Sequence, residues 1–249
     1  MKKILKTQSF ELAIYTKGNT EASKLALVLP GKLDTKDYPH MRSHVEYLAK
    51  RGYYALSFDP PGTWESKGDI SLYTVSNYQK AVNEIIEYFS NRPTFLVGHS
   101  RGGSIAMLAG TANPYVHCFA SIMSFYTFLP TIHGEYPDNI WKKKGYTLSK
   151  RDIPGQSVYK VKLYKLPYSF LEDQIMYDMS SALSISIKPK LFIFGTKDTL
   201  VTPEIVKKGY DISAEPKQIK ELNSDHNYRS SSELIQQVNK KLGEFLDSI

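Results

Sequence analysis

Cysteine is almost missing from this chain. Cys118 is the only one in 249 residues, so no disulfide can form within it and its stability must come from packing. Flanked by His117 and Phe119 in an apolar run, Cys118 reads as a small core residue, with nothing nearby that would activate a thiolate. Long apolar runs are missing too: no stretch approaches the ~18 residues of a membrane span. Met1-Lys2-Lys3 has the charge of a secretory leader, but only Ile4-Leu5 follows before Lys6-Thr7-Gln8-Ser9, far too little apolar sequence. Cytoplasmic residence is the expectation. Lysine and arginine outnumber the acids 32 to 25, for a net charge of +7, yet no nucleic-acid motif accompanies them. The one dense basic run, Lys142-Lys143-Lys144, reads as a solvated face. Internal repeats, low-complexity tracts and interdomain linkers are absent.

Short apolar runs and amphipathic stretches are what the chain does contain. Residues 7–15 alternate loosely, as an edge strand or hairpin arm does, and Lys17-Gly18-Asn19 marks a turn. Buried strands are expected at 24–29, 53–58, 94–97, 116–124 and 190–194, and a more polar edge strand at 217–222. Helices are expected over 38–50, over 74–90 with Val75, Tyr78, Val82, Ile85, Ile86 and Phe89 on one face, and from about Ser231 to the end. This alternation predicts an α/β fold with a mainly parallel sheet wrapped on both faces.

Within it, Thr94-Phe95-Leu96-Val97-Gly98-His99-Ser100-Arg101-Gly102-Gly103 reads as strand, G-x-S-x-G, then a helix opening at Ser104-Ile105-Ala106-Met107-Leu108-Ala109. That order is the context of a nucleophile elbow, where the turn is so tight that neighbouring side chains would collide and the serine hydroxyl is lifted off the sheet. A serine needs a base to take its proton and a third group to orient that base. In a parallel sheet such groups sit at the carboxyl ends of strands. Asp198, closing strand 190–194, and His226, between the last strand and the last helix, supply one candidate each in the order nucleophile, acid, base.

The competitors have plainer readings. His99 lies inside the elbow with its side chain facing away from the Ser100 hydroxyl, and packing is its expected role. His40, His44 and His117 belong to a helix or a strand. His133 lies among residues 125–185, where substrate contact is conceivable. Asp225 adjoins His226 and cannot easily turn back onto its imidazole, while Asp173 and Asp178 belong to the same insertion. For the oxyanion, two N–H donors are needed. Arg101, just after the serine, offers its backbone N–H, and the loop Pro30-Gly31-Lys32-Leu33 offers that of Lys32. The Lys32 ammonium is expected to be solvated, the alternative being an attraction for anionic substrates.

Pro30-Gly31, Asp59-Pro60-Pro61-Gly62, Gly98-His99-Ser100-Arg101-Gly102, Gly195-Thr196-Lys197-Asp198 and Asp225-His226 fall in the order found in serine esterases of the α/β-hydrolase fold. The chain resembles that superfamily over essentially all its length outside 125–185, and its layout is most similar to small bacterial esterases of the cinnamoyl/feruloyl type. The resemblance implies an α/β-hydrolase fold and hydrolysis of a carboxylic ester through an acyl-enzyme. It implies no metal and no organic cofactor. Two departures stand out: Pro30-Gly31 replaces the usual His-Gly before the oxyanion donor, and Trp64 stands where glycine is common, either lining the site entrance or packing on its rim.

Residues 1–124 and 186–249 are thus expected to form the core, and 125–185 a cap insertion over the site. Residues 125–177 hold eleven aromatics, among them Phe125, Tyr126, Phe128, Trp141, Tyr146, Tyr159, Tyr164, Tyr168 and Tyr177. These read as partly cap core and partly pocket wall. With Trp64, Tyr126 and Trp141 as substrate contacts, the expected partner is a small-molecule ester with a short or aromatic acyl group, with neither nucleic acid nor membrane involved. Thioesterase, acyltransferase or aminopeptidase chemistry would use the same triad. A catalytically silent binding protein is the alternative of a different class.

Overall fold

Leu25–Leu29 (β3), Tyr54–Phe58 (β4) and Thr94–His99 (β5) are buried at every residue, as strands covered on both faces must be. The computed structural model describes residues 3–128, 138–156 and 160–249; His133 and Tyr159 fall outside them. Lys3–Lys6 (β1), Glu11–Lys17 (β2), Val116–Ile122 (β6), Lys190–Gly195 (β9) and Lys217–Leu222 (β10) join those three strands in one sheet of order β1-β2-β4-β3-β5-β6-β9-β10. β1 pairs antiparallel with β2 and β2 with β4, and every other pairing is parallel. The expected α/β-hydrolase architecture is what the chain adopts.

Period-2 alternation divides the core. Leu25, Leu27 and Leu29 point into one cluster, with Pro39–Lys50 (α1) and Ser232–Asp247 (α8) covering the other, where Ala26 and Val28 pack. Val75–Tyr88 (α2) and Arg101–Ala112 (α3) cover the first face. Side-chain caps fix the starts of α2 and α8: Thr74 accepts from the Asn77 N–H and Ser231 from the Leu234 N–H, each worth about 1 kcal/mol. Among the described residues no helix is long and apolar enough to cross a membrane.

Residues 123–189 leave β6 and rejoin at β9, its neighbour in the sheet. They pass out and back through a narrow neck: Thr127 and Asp178 form an antiparallel bridge, Phe128 N–H donates to the Tyr177 carbonyl at 3.0 Å, and Met179 N–H to the Tyr126 carbonyl at 3.1 Å. Beyond the neck lie Asp138–Lys144 (α4), an antiparallel hairpin of Tyr146–Asp152 (β7) and Val161–Pro167 (β8), and Ser169–Gln174 (α5); Ser180–Ile185 (α6) leads back to β9. The hairpin sits on the loops that follow β3, β4 and β10: Tyr38 Oη donates to the Asp152 carbonyl at 2.9 Å, Arg229 pairs with Asp152 at 2.8 Å, and Trp64 N–H donates to Tyr164 Oη at 3.0 Å.

Two elements add to the sequence expectation. β1 is only four residues long. Pro203–Ile212 (α7) carries Gly209 inside it, a residue that ordinarily weakens a helix; here it leaves room for the Tyr126 ring, which would sit 3.0 Å from a Cβ at that position.

Candidate active site

Ser100 sits between β5 and α3 with φ 52° and ψ −123°, a region that side chains ordinarily avoid. The surroundings hold it there. Its N–H donates to the Ile122 carbonyl at 2.8 Å, and its own carbonyl accepts from Gly103 and Ser104 N–H in the first turn of α3. A Cβ on Gly98 would overlap the backbone of Gly102 and Gly103, and one on Gly102 would overlap the carbonyl of Leu29. Glycine is therefore required at both positions by close backbone approach, with neither at positive φ.

The structure brings together the three residues singled out from sequence. Ser100 Oγ lies 3.0 Å from His226 Nε2, and His226 Nδ1 lies 2.7 Å from Asp198 Oδ2. The other carboxylate oxygen, Oδ1, accepts from the Leu200 and Val201 N–H groups, both at 2.9 Å, so the carboxylate cannot rotate away from the imidazole. Burial works against the Asp198 charge, but the His226 bond, the His226 charge and those two N–H groups outweigh it and hold the carboxyl below its ordinary range.

His226 is braced from behind. Its carbonyl lies 3.1 Å from His99 Nε2, which makes that nitrogen the protonated one, and the two rings pack at 4.9 Å. His99 in turn meets His40 and Tyr228 edge-on. Tyr228 Oη bonds His44 Nε2 at 2.9 Å, and His44 Nδ1 bonds Asn239 Oδ1 at 2.6 Å. Burial pushes His40, His44 and His99 below the ordinary histidine value, so this column is neutral packing that fixes the His226 loop. His117 is exposed on β6. Asp34, His40 and His99 place ligand-type atoms within 4.8 Å of one another, but none of the three lines the cavity described next.

On the opposite side lies the turn after β3 that holds Lys32. Leu33 stands at φ 57° with its N–H committed to Tyr73 Oη at 2.9 Å, and Asp34 N–H is committed to the Gly31 carbonyl at 3.1 Å. The Lys32 N–H belongs to the same turn, and that of Arg101 opens α3; these are the two donors expected from sequence to face an oxyanion. Asp59 ties this turn to the loop after β4, accepting from Thr35 Oγ1 at 2.6 Å, Lys36 N–H at 3.0 Å and Glu65 N–H at 3.2 Å. Sequence reasoning saw only a turn there.

A cavity of about 580 Å³ opens above Ser100 and His226. The excursion between β6 and β9 supplies much of its wall: Phe125, Phe128, Trp141, Arg151, Phe170 and Gln174. Trp141 is therefore a wall residue. Tyr126 and Trp64 are not, and both expectations need correcting. Tyr126 is buried against Gly209 of α7. Trp64 turns its indole N–H to the Leu33 carbonyl at 2.8 Å and its edge to Tyr38 and Tyr164, bracing the oxyanion turn from outside. Asp225 lines the cavity with its carboxylate accepting from Asn227 N–H, Asp173 holds the first N–H groups of α2, and Asp178 accepts from Ser180 N–H.

Of the cations of the wall, the side chains of Arg101 and Arg151 were not anticipated, and that of Lys32 was expected to be solvated. Lys32 is half-buried rather than solvated, with its ammonium 5.4 Å from the Phe170 ring centroid. Burial, and then the nearby Arg101 and Arg151, push it down to about 8. The Arg101 guanidinium lies 4.4 Å from the same ring and bonds Gln174 Oε1. Arg101 follows Ser100 directly, which was a legible signal; Arg151 comes from a hairpin whose placement the sequence does not reveal.

Comparison with known proteins follows the same lines. The family profile described as the alpha/beta hydrolase fold matches residues 27–144. The mitochondrial palmitoyl-protein thioesterase ABHD10 of Bos taurus is 25% identical over 213 residues, which span 84% of this chain and 68% of the relative. Its Mus musculus counterpart is 26% identical over 180 residues, 70% of this chain and 59% of the relative. Among solved structures, mouse alpha/beta hydrolase domain-containing protein 10 superposes with TM-score 0.78 at 21% identity, covering 100% of this chain and 99% of that one. Est1E from Butyrivibrio proteoclasticus, with ferulic acid bound, gives 0.75 at 17% identity, covering 99% and 98%. The narrower likeness to feruloyl esterases is thus one of fold, while the curated relatives are thioesterases. By profile and by architecture, the chain has the α/β-hydrolase fold.

Proposed function

We propose that this chain is a serine hydrolase that cleaves carboxylic esters through an acyl-enzyme, with short or aromatic acyl groups preferred. The observation that carries this reading is the continuous chain from Ser100 Oγ to His226 to Asp198, at 3.0 and 2.7 Å, on the floor of an aromatic-walled cavity. His226 Nε2 takes the Ser100 proton as Oγ adds to the ester carbonyl. Asp198 stays ionised and holds the Nδ1–H, stabilising the imidazolium. The oxyanion accepts from the Lys32 and Arg101 N–H groups, whose positions are fixed before the substrate arrives. As the C–O bond breaks, the imidazolium returns its proton to the leaving alcohol. A water then repeats the sequence on the acyl-enzyme, releasing the acid and restoring Ser100.

Thioester cleavage is the second reading, favoured by the curated thioesterase relatives; the same steps expel a thiol instead of an alcohol. Against long acyl chains stands the described part of the wall, where the aromatic rings of Phe125, Phe128, Trp141 and Phe170 predominate over aliphatic side chains.

The test has two parts. A fluorophosphonate should label Ser100 in the wild-type protein and leave Ser100→Ala unlabelled; labelling that persists in Ser100→Ala, or none in either, would remove the serine-hydrolase reading and favour a silent binding protein. A series of acetyl to palmitoyl oxygen esters and thioesters should show the highest kcat/KM at short or hydroxycinnamoyl groups. A preference for C12–C16 thioesters would select the second reading.

A further inference from the structure

Three side chains of positive charge line the cavity above Ser100, those of Lys32, Arg101 and Arg151. Asp225 is the acid among its lining residues, and its carboxylate is exposed and turned to the Asn227 N–H at 2.9 Å. Arg151 is balanced by Asp34, with Nε 3.6 Å from Oδ1, and by the Lys32 carbonyl. Arg101 is held by Gln174 and by the faces of Phe170 and Phe128, at 4.4 and 5.2 Å. The Lys32 ammonium is different: among the described residues it has no hydrogen-bond acceptor or acid, only the Phe170 ring at 5.4 Å and two neighbouring guanidinium groups. A charge taken partly out of water and placed beside two like charges is costly unless something of opposite charge joins it. Its lowered affinity for a proton, to about 8, expresses that cost. Among the described residues no side chain of the wall supplies the missing anion, and the cavity is the space into which an anion can come.

We propose that Lys32, in the field of Arg101 and Arg151, makes this cavity a subsite for a carboxylate carried by the ester itself. The inference rests on the serine-hydrolase reading and narrows its substrate class to half-esters that carry a negative charge. Distance is set by the chain. The Lys32 N–H faces the scissile carbonyl in the reading above, so its ammonium lies within one lysine side chain of it, roughly 6 Å by covalent geometry. A carboxylate roughly three or four atoms from the ester group therefore reaches it. Charge-assisted pairing in a partly desolvated wall discriminates more strongly than the same pair in water. The carboxylate belongs either to the acyl part, as in a dicarboxylic half-ester, or to the alcohol part, and the experiment separates the two.

Two isosteric pairs serve as substrates at low ionic strength. Monoethyl glutarate against ethyl 5-methylhexanoate places the charge on the acyl side, and butyryloxyacetate against isobutyl butyrate places it on the alcohol side. In the wild-type protein at least one anionic member should exceed its neutral isostere in kcat/KM by about tenfold or more, and that pair identifies the side. Lys32→Met keeps the backbone N–H and should bring the ratio to about one, whereas Lys32→Arg should preserve it. Each ratio is taken within one variant, so a general loss of activity does not enter. Neutral members equal or better in both pairs, or a preference that survives Lys32→Met, would overturn the proposal. Should no ester be turned over and Ser100 take no phosphonate, the hydrolase reading has failed, and the subsite is judged by calorimetry on Ser100→Ala. Tighter binding of monoethyl glutarate than of ethyl 5-methylhexanoate, lost on adding Lys32→Met, supports it; equal binding overturns it.

Discussion

The carbonyl oxygen of Lys32 accepts two hydrogen bonds from the guanidinium of Arg151, from Nε at 2.9 Å and from Nη2. A residue of the β7 strand thereby clamps the peptide beside the Lys32 N–H, so the segment that walls the cavity also steadies the turn proposed to hold the oxyanion.

Removing that clamp with Arg151→Met should lower kcat/KM on a neutral short ester by about tenfold, since bonds to a charged donor contribute about 1.5–3 kcal/mol and the turn keeps its other supports. Arg151 is only half-buried, so the melting temperature should move little. Steady-state kinetics and thermal unfolding on the same preparation decide it. An unchanged kcat/KM would mean that Leu33, Tyr73 and Trp64 hold the turn unaided.

Ser100→Ala and His226→Ala should each reduce kcat on the order of 10⁴–10⁶-fold, and the double variant should be scarcely worse, because the two act as one unit. Asp198→Asn should keep the fold and cost less, since its loss misorients the base rather than removing it. Full additivity of Ser100→Ala and His226→Ala would contradict the coupling that the 3.0 Å contact implies.

Gly98→Ala should destabilise the protein by about 3 kcal/mol or more, because the new methyl meets backbone rather than a side chain that can turn aside. Gly52→Ala is the informative comparison: it has open space and φ 86°, so its cost is conformational and smaller. Urea midpoints of the two variants should separate clearly; equal midpoints would show that the elbow relaxes.

Stability should fall steeply above pH 10. Burial raises the hydroxyls of Tyr73, Tyr78 and Tyr228 above their ordinary value. Once the unfolded chain ionises these groups near pH 10, the folded state binds more protons and stability declines as pH rises. Lys190 acts in the opposite sense: buried and pushed down to about 8, it adds stability as pH climbs from 8 toward its unfolded value. Circular dichroism against pH, with tyrosinate absorbance read alongside, should show these tyrosines ionising together with the loss of structure. Their ionisation in the intact fold would refute the assignment.

What could be read from the chain alone was whatever local pattern dictates. Leu25–Leu29 and Thr94–His99 are apolar on both faces, and the glycines around Ser100 are demanded by a turn only a few residues long, so sheet and elbow were both legible. Asp198 and His226 were legible because each follows a strand at its carboxyl end. Tyr126 and Trp64 were misjudged because an aromatic gives no sign of which side of a wall it faces: one is drawn into the gap at Gly209, the other onto the Leu33 carbonyl. The Lys32 ammonium was read as solvated because its burial depends on Phe170 and Arg151, more than a hundred residues away. Helix α7 was hidden by Gly209, whose purpose lies in a distant side chain.

The bridge between Thr127 and Asp178 has a bearing on how such a molecule changes over time. The chain beyond it leaves and re-enters the sheet through this one gate, whose width does not depend on how much chain lies outside. The entropy of closing that excursion grows only with the logarithm of its length, about 0.6 kcal/mol for each doubling. Insertions, deletions or a wholesale graft between these two residues therefore leave the spacing of β6 and β9 alone. Such a graft replaces the walls around Ser100 without displacing the serine, so selectivity is free to diversify wherever the newcomer again braces the turn that Arg151 clamps through the Lys32 carbonyl.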